Sequence, residues 1–240
     1  MINVLNANGL VTWNEDEIKF REYAIERIQS KLRQALVAQN RAWTMHRFES
    51  SCLIPSSLVN PNYTSDDVFI VEGQPLTLRP ETTAASYLYA DKLMKEHGVY
   101  PPLVVWQAGK SFRNEQDQVT KNMRLKEFYQ LEFQCVYADD TKADYILPVI
   151  WAMQEVIEEL SAGFNVRRVP SDRLPSYSKE TTDIEVDNGE KWMEVMSISD
   201  RTDYTARAFI GNNEKGFRVL EVAVGLDRLV YNRFTASKKE

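Results

Sequence analysis

Residues 112–134, FRNEQDQVTKNMRLKEFYQLEFQ, decide the fold. Apolar residues on both sides of a polar centre predict two strands joined by a loop. From residue 124 to residue 135 polar and apolar side chains alternate, and successive side chains of a strand point to opposite faces. The expected core face contains Leu125, Tyr129, Leu131, Phe133 and Cys135, with Glu127 as the exception. The second strand therefore has one core face and one polar face.

The polar face of this strand has two interpretations. Its members are Arg124, Lys126, Phe128, Gln130, Glu132 and Gln134. An ordinary half-exposed strand explains the polar residues but not a Phe in their midst. The alternative is a sheet face that forms the floor of a ligand site. In that case Phe128 stacks on a flat ring and Glu132 contacts a cation.

Two arginines frame the chemistry that this site suggests. Arg113 opens the polar loop, and Arg228 lies in AVGLDRLVY, residues 223–231, where a strand runs into a helix through Gly225. An enzyme that uses ATP to activate a carboxylate needs fixed positive charge at both ends of the triphosphate, and the planar, permanently charged guanidinium suits that task. The glycine-rich phosphate loops of parallel α/β folds are absent from the sequence, so an ATP site has to be built differently.

Composition sets the broad class. The chain has 240 residues, 43% hydrophobic and 27% charged, with a net charge of −6, which is typical of one globular domain and gives no general attraction to nucleic acid. Its two cysteines, Cys52 and Cys135, indicate a reducing compartment. The first ten residues do not resemble a signal peptide, and no run is long enough to cross a membrane. We expect a cytoplasmic location.

The remaining periodicity predicts an α+β fold, with an antiparallel sheet flanked by helices. Helices are expected over residues 15–38, 82–96, 144–162 and 226–234, and extended segments over 41–54, 75–80 and three stretches after residue 163. Residues 170–182 are expected to form a polar loop. The buried side of the third helix is expected to contain Leu147, Ile150, Trp151, Ile157 and Leu160.

Three segments together resemble the catalytic core of class II aminoacyl-tRNA synthetases. The first is a helix, an extended segment and a proline, here 15–38, 41–54 and Pro55. The second reads Phe112-Arg113-Asn114-Glu115, then Arg124 to Phe128, then Glu132. The third is Gly225-Leu226-Asp227-Arg228. Further stretches are similar to glycyl-tRNA synthetases: LTLRPETTAA (76–85), YSKETTDIE (177–185) and WMEVMSISDRTDY (192–204). The resemblance covers residues 15–234.

The resemblance implies an ATP site with Mg²⁺ and assigns its residues. Arg113 is expected to hold the α-phosphate and Arg228 the γ-phosphate, and both are the expected catalytic residues. Phe128 is expected to stack on adenine, with Arg124 near the triphosphate or the base. Glu115 is expected near the adenine amino group or the tRNA end, and Glu194 is the expected magnesium ligand.

The resemblance also implies an amino-acid site, of which Gln130, Ala223 and again Arg113 are expected to form part. Glu81, Glu132 and Glu221 are expected to surround the ammonium group in a small, strongly negative pocket. Two positions depart from the glycyl pattern, since Ala223 replaces a serine and Ser197 replaces a glycine. Both lie where the amino acid is expected, so the resemblance implies glycine or another small amino acid as the substrate and leaves the choice open.

The same resemblance leaves the acceptor open. Residues 1–240 are expected to form a single catalytic domain without an anticodon-binding domain. The first hypothesis is transfer of the amino acid to tRNA, the second is transfer to another acceptor such as a carrier protein, and the third is a non-catalytic dimeric scaffold. Retention of both arginines argues against the third. A homodimer through residues 15–55 is expected.

Overall fold

A seven-stranded sheet forms the centre of the computed structural model, which describes residues 3–4, 10–39, 42–114, 123–138, 145–172, 174, 178–189, 191–202 and 216–236. The helices are α1 (Glu15–Val37), α2 (Thr83–His97), α3 (Ile146–Leu160) and α4 (Leu226–Ala236). The strands are β1 (Asn3–Val4), β2 (Val11–Thr12), β3 (Thr44–Arg47), β4 (Leu53–Pro55), β5 (Phe69–Ile70), β6 (Leu76–Leu78), β7 (Leu103–Phe112), β8 (Glu127–Ala138), β9 (Val166–Pro170), β10 (Glu180–Asp187), β11 (Trp192–Asp200) and β12 (Phe217–Gly225).

The order of strands in the main sheet is β3-β7-β8-β12-β11-β10-β9. All neighbours are antiparallel except β3 and β7. β7 and β8 form the hairpin that the sequence predicts, although β8 begins three residues later than expected, and the expected α+β architecture is confirmed. A small sheet, β4-β6-β5, lies beside it.

One face of the sheet carries the main core, where α1, α3 and α4 pack. Leu131, Phe133 and Cys135 of β8 point into it, as their alternation predicts, and all three are fully buried. Helix α1 contacts α3, and its apolar stripe, Ala24, Ile28, Leu32 and Leu36, is buried in this core. Burial of each Ile or Leu side chain contributes about 1.5–3 kcal/mol. The stripe of α1 therefore stabilises the chain's own fold.

The opposite face of the sheet is covered only in part. α2 packs on one end of it, where Tyr87 contacts a second core that includes Val105 and Val136. This helix ends at Gly98, whose φ of 62° is the left-handed conformation that glycine adopts readily. The rest of this face carries the polar residues that build the site.

Two expectations for local structure were wrong. Leu147 and Trp151 of α3 are 54% and 55% exposed, because the buried side of the helix is turned towards the stripe Val149, Ile150, Met153, Val156, Ile157 and Leu160. Residues 180–182 belong to β10 rather than to a loop, since their neighbours in β11 supply the strand pairing. The expected extended segment 41–54 is divided between β3 and β4, in two different sheets.

No helix in the described part of the chain is both long and apolar enough to span a membrane.

Candidate active site

A row of five side chains crosses the open face of the sheet. Pairing between neighbouring strands aligns Asp183, Ser197, Ala223, Glu132 and Gln107 in that order. Paired residues of antiparallel strands lie on the same face. The next row contains Thr181, Ser199, Glu221 and Gln134. The polar face predicted from the sequence therefore extends across neighbouring strands as a mostly polar floor, in which Ala223 is an apolar member.

A cavity of about 230 Å³ lies on this floor. It brings together seven residues expected in the site, namely Arg113, Arg124, Phe128, Gln130, Glu194, Ala223 and Arg228. Ser197, one of the two departures from the glycyl pattern, also lines it, as do Tyr129, Asp183 and Asp227. Glu115, the remaining expected ATP contact, lies outside the described residues. The cavity thus has a cationic residue from the start of the β7–β8 loop and another from the start of α4.

Arg113 is fixed between two aromatic rings. The centre of its guanidinium lies 5.1 Å from the ring centroid of Phe128 and 5.3 Å from that of Tyr63. Its Nε donates a 3.0 Å hydrogen bond to the carbonyl oxygen of Pro80. These contacts orient a permanently charged, planar group at the wall of the cavity.

Arg228 is oriented by β11. Its Nη1 donates a 3.0 Å hydrogen bond to the backbone oxygen of Glu194 and lies 3.7 Å from that residue's carboxylate. Glu194, the expected magnesium ligand, therefore lies beside the expected γ-phosphate arginine. Among the described residues no group of three or more His, Cys, Asp or Glu could hold a metal by itself.

Glu132 is a buried carboxyl group covered by the start of α2. Thr82 and Thr83 both donate hydroxyl hydrogen bonds to its Oε2, the latter at 3.1 Å, and the residue is only 2% exposed. Burial, followed by the charges of Glu221 and Glu81, raises the pKa of Glu132 to about 8 against the opposing effect of the two hydroxyls. A pKa of about 8 favours the protonated form of Glu132 near neutral pH.

Glu221 is held differently. Its Oε1 forms an ion pair with Arg201, and its Oε2 accepts a 2.8 Å hydrogen bond from Gln134. The hydroxyl of Tyr87 in turn donates to Gln134 at 2.8 Å. Both carboxylate oxygens of Glu221 are thus occupied by internal donors, and its charge is balanced by Arg201.

Glu81 completes the group of three. It accepts hydrogen bonds from Asn60 at 3.3 Å and from the hydroxyl of Tyr63 at 3.1 Å. The pKa of Tyr63 is raised well above its usual value because burial and Glu81 outweigh the effect of Arg113. The structure groups the three expected carboxyls, but the ion pair of Glu221 with Arg201 makes the pocket less negative than the sequence suggests.

Several residues of the site were not predicted from the sequence. Arg79 braces the floor, since its Nε donates to the backbone oxygen of Lys110 at 2.8 Å and its Nη1 donates to the hydroxyl of Ser50 at 2.6 Å. It lies so close to β7 that a Cβ added to Gly109 would come within 2.5 Å of its Nη2. The others are Tyr63, Thr82, Thr83, Asp183 and Arg201. Thr82 and Thr83 could have been predicted as site residues because they directly follow Glu81 in the sequence. Tyr63 and Arg201 lie in loops, and no periodic pattern in the sequence predicts that these loops reach the site.

Two buried aspartates border the cavity. Asp227 accepts a 2.9 Å hydrogen bond from the backbone N–H of Tyr129, which ties α4 to β8, and burial raises its pKa to about 7. Burial also raises the pKa of Asp183, and hydrogen bonds that its carboxylate accepts from Ser171 and Ser197 lower this pKa in part. The substituted position Ser197 is therefore engaged by Asp183.

A second cavity of about 380 Å³ adjoins the first. The two share Arg124, Asp183, Glu194 and Arg228, and the second extends over β9 and β10 towards Arg167. Arg167 lies 4.1 Å from the ring centroid of Trp192 and forms a 2.7 Å ion pair with Glu185. The two cavities are therefore neighbours along the same wall of the sheet.

Comparison with protein families identifies this arrangement. Residues 64–232 match the tRNA synthetase class II core domain of the G, H, P, S and T type. The chain belongs to the class II tRNA synthetase core family. The predicted family is thereby confirmed, and the hairpin with Arg113 and the strand-to-helix turn with Arg228 both lie inside the match.

Two curated relatives of this class II core are glycine–tRNA ligases. The chain is 28% identical over 169 residues to the glycine–tRNA ligase of Mycoplasmopsis synoviae, covering 64% of this chain and 38% of the relative. It is 31% identical over 170 residues to that of Lachnoclostridium phytofermentans, covering 63% and 36%. The chain thus aligns with little more than a third of either curated relative.

Two solved structures share the fold. A Giardia lamblia prolyl-tRNA synthetase in complex with prolyl-adenylate superposes with a TM-score of 0.72 at 18% identity, covering 98% of this chain and 50% of that one. A Cryptosporidium parvum prolyl-tRNA synthetase complexed with halofuginone and AMPPNP gives a TM-score of 0.73 at 17% identity, covering 98% and 49%. At these identities the likeness shows the class II core fold alone.

Proposed function

We propose that the chain activates an amino acid with ATP, forming an aminoacyl-adenylate, and transfers the aminoacyl group to tRNA, with glycine as the amino acid. The observation that carries the proposal is the placement of Arg113, Phe128 and Arg228 on one cavity. Family membership supports a tRNA ligase, and the adenylate and AMPPNP bound by the two structural neighbours support ATP chemistry on this fold.

In the proposed first step an oxygen of the amino-acid carboxylate attacks the α-phosphorus of ATP. The bond from that phosphorus to the bridging oxygen breaks, and pyrophosphate leaves with the electron pair. Arg113 would neutralise the charge that builds on the α-phosphate, and Arg228 would hold the departing end. In the second step a ribose hydroxyl at the tRNA end attacks the carbonyl carbon, and AMP leaves.

Adenine and magnesium have proposed positions beside these arginines. Phe128 would stack on the base, with Arg124 on the same wall. Mg²⁺ would be held by Glu194 together with phosphate oxygens, and it would supply charge neutralisation at the phosphates. Asp183 lies on the same stretch of wall, where both cavities meet.

Glycine is proposed as the substrate because the curated relatives quoted above are glycine–tRNA ligases and because three carboxyls gather at one end of the floor. Glu81, Glu132 and Glu221 would receive the ammonium group, with Gln130 and Ala223 completing the subsite. Ala223 lies directly opposite Glu132 in the sheet, so a side chain at the α-carbon would meet this floor.

The partners are also proposals. The family supports tRNA as the acceptor and a homodimer as the assembly, and it supports a cytoplasmic location. A carrier protein remains the competing acceptor, and a scaffold remains the competing non-enzymatic function, although no described contact favours either.

Exchange of labelled pyrophosphate into ATP tests the proposal. We expect exchange that depends on glycine and is weaker with every other standard amino acid, followed by charging of glycine tRNA. Exchange without charging of any tRNA would support the carrier protein. Absence of exchange with every amino acid would support the scaffold and overturn the proposal.

A further inference from the structure

The three carboxyls of the amino-acid subsite are not equivalent. Glu132 and Glu221 belong to neighbouring strands and occupy adjacent rows of the same face, because Glu132 pairs with Ala223 while Glu221 pairs with Gln134. Residues in this diagonal relation are close enough for their charges to interact. Both are almost completely buried, so water screens them little.

Donors from the protein itself contact both carboxylate oxygens of Glu221. Arg201 neutralises Oε1 and Gln134 donates to Oε2, and Arg201 is itself buried. A buried carboxylate is tolerated when a guanidinium partner and a second donor hold it. Glu221 therefore has its hydrogen-bonding and charge partners within the protein.

Glu132 has no such cation among its described hydrogen-bond partners. Both of its side-chain bonds come from neutral hydroxyls, Thr82 and Thr83, and both end on Oε2. Glu132 interacts electrostatically with two acidic residues, Glu81 and Glu221, and with one basic residue, Arg79. Tyr63 faces it from the loop before β5. Oε1 is therefore the oxygen that can carry a proton.

We propose that Glu132 is the proton-exchanging carboxyl of this subsite: it carries a proton on Oε1 while the site is empty, and releases that proton to solvent when the substrate's ammonium group binds. Arg201 is the positioning residue, because it pairs with Glu221 and leaves the proton exchange to Glu132. The inference rests on the proposed function for the identity of the ligand. Binding then exchanges one positive charge, the proton, for another, the ammonium group. The buried subsite therefore does not have to hold an ionised Glu132 without a cation beside it when no ligand is bound.

A matched pair of ligands tests the exchange. Glycyl-sulfamoyl-adenosine is a non-hydrolysable analogue of the adenylate, and its glycolyl counterpart has a hydroxyl group in place of the ammonium. Calorimetry in buffers of different ionisation enthalpy counts the protons released. At roughly pH 6.5 we expect about one proton per glycyl ligand and none per glycolyl ligand, because Glu132 is protonated there and the amine is charged.

The pH dependence of affinity gives a second readout of the same exchange. The affinity for the glycyl ligand relative to the glycolyl ligand should rise about tenfold per pH unit below neutral pH, and it should level off near pH 8. Glu132→Gln should abolish both the proton release and this slope. Binding of both ligands with equal proton release would overturn the inference alone. Binding of neither would overturn the proposed function as well.

The part played by Arg201 is tested without ligand, by carbon NMR of protein labelled at the glutamate carboxyls. The wild type should show a carboxyl that titrates near pH 8 and is missing in Glu132→Gln. Arg201→Gln should change the pH at which this carboxyl titrates, because the charge of Glu221 acts on Glu132, while Arg201→Lys should not. Arg218→Gln is the control, since it breaks a 2.7 Å ion pair with Asp200, a carboxylate outside the subsite. An unchanged glutamate titration in Arg201→Gln, or no alkaline carboxyl in the wild type, would contradict the inference.

Discussion

The Nε atom of Arg113 donates a hydrogen bond of 3.0 Å to the carbonyl oxygen of Pro80. Pro80 immediately precedes Glu81 and the two threonines that cover Glu132. The residue proposed to bind the α-phosphate is thereby anchored on the same backbone segment as the residues proposed to bind the amino acid. An amino-acid carboxylate and an α-phosphate have to meet between these two groups for the first step to occur.

Tyr63 connects the two subsites, since it lies beside Arg113 and donates to Glu81 at 3.1 Å. We expect Tyr63→Phe to raise the KM for the amino acid about fivefold, with a smaller change in kcat, because one hydrogen bond of about 1 kcal/mol is lost. Pyrophosphate exchange at varied amino-acid concentration measures this split.

The matched control for Tyr63→Phe is Tyr23→Phe. Tyr23 donates to Glu159 at 3.2 Å, so the control removes a similar hydrogen bond between α1 and α3. It should leave both kinetic constants unchanged. An equal KM for Tyr63→Phe and wild type would mean that Glu81 does not depend on this hydroxyl.

Gly109 leaves room for the guanidinium of Arg79. In Gly109→Ala the new Cβ would come within 2.5 Å of Nη2, and Arg79 cannot retreat easily because Lys110 and Ser50 hold it. We expect a loss of about 1–3 kcal/mol in the free energy of unfolding, measured by denaturant titration. Gly225→Ala is the control, since its added Cβ meets nothing closer than 3.6 Å. Equal stability of the two variants would exclude the proposed clash.

Glu132 should make the ligand-free protein less stable as pH rises. Its pKa is raised to about 8 in the folded protein from about 4.5, so the folded state binds its proton more tightly. The resulting stabilisation is fully present below about pH 4.5 and is lost as pH rises through about 8. Asp227, with its pKa raised to about 7, acts in the same direction over a lower range.

Glu132→Gln should therefore gain stability relative to wild type as pH increases. Chemical denaturation at about pH 5, 6.5 and 8 measures the difference, which should grow by at most about 1.4 kcal/mol per pH unit. Parallel curves for wild type and Glu132→Gln would mean that Glu132 is ionised in the folded protein.

The sequence predicts the side chains of β8 because alternation is a local property. Leu131, Phe133 and Cys135 enter the core, and the residues between them form the floor. Alternation in the sequence does not predict the role of Arg201, because the contact of Arg201 with Glu221 depends on how the residues after β11 pack against β12. It also could not show that Arg201 neutralises Glu221, so the pocket looked more negative from the sequence than it is.

Helix α3 shows a second limit of periodicity. Leu147 and Trp151 are spaced one turn apart and are apolar, yet they face outwards because the neighbouring stripe of α3 packs on the sheet and on α1.

We expect Met153→Ala to cost about 2–5 kcal/mol in the free energy of unfolding, since Met153 is fully buried. Trp151→Ala should cost less than about 1 kcal/mol, because its described ring contact is the guanidinium of Arg168 at 3.9 Å. A larger cost for Trp151→Ala would place this residue in a covered interface.

The central claim is that adenylate chemistry takes place between Arg113 and Arg228. Single-turnover reaction of the protein with α-phosphate-labelled ATP and glycine tests it most directly, by following labelled glycyl-adenylate and AMP. We expect wild type to form the adenylate, and Arg113→Ala to form it at least about a hundredfold more slowly. The control Arg47→Ala, which loses a surface ion pair of 3.5 Å to Glu49, should match wild type. No labelled adenylate from wild type with any amino acid, or equal rates for wild type and Arg113→Ala, would contradict the account.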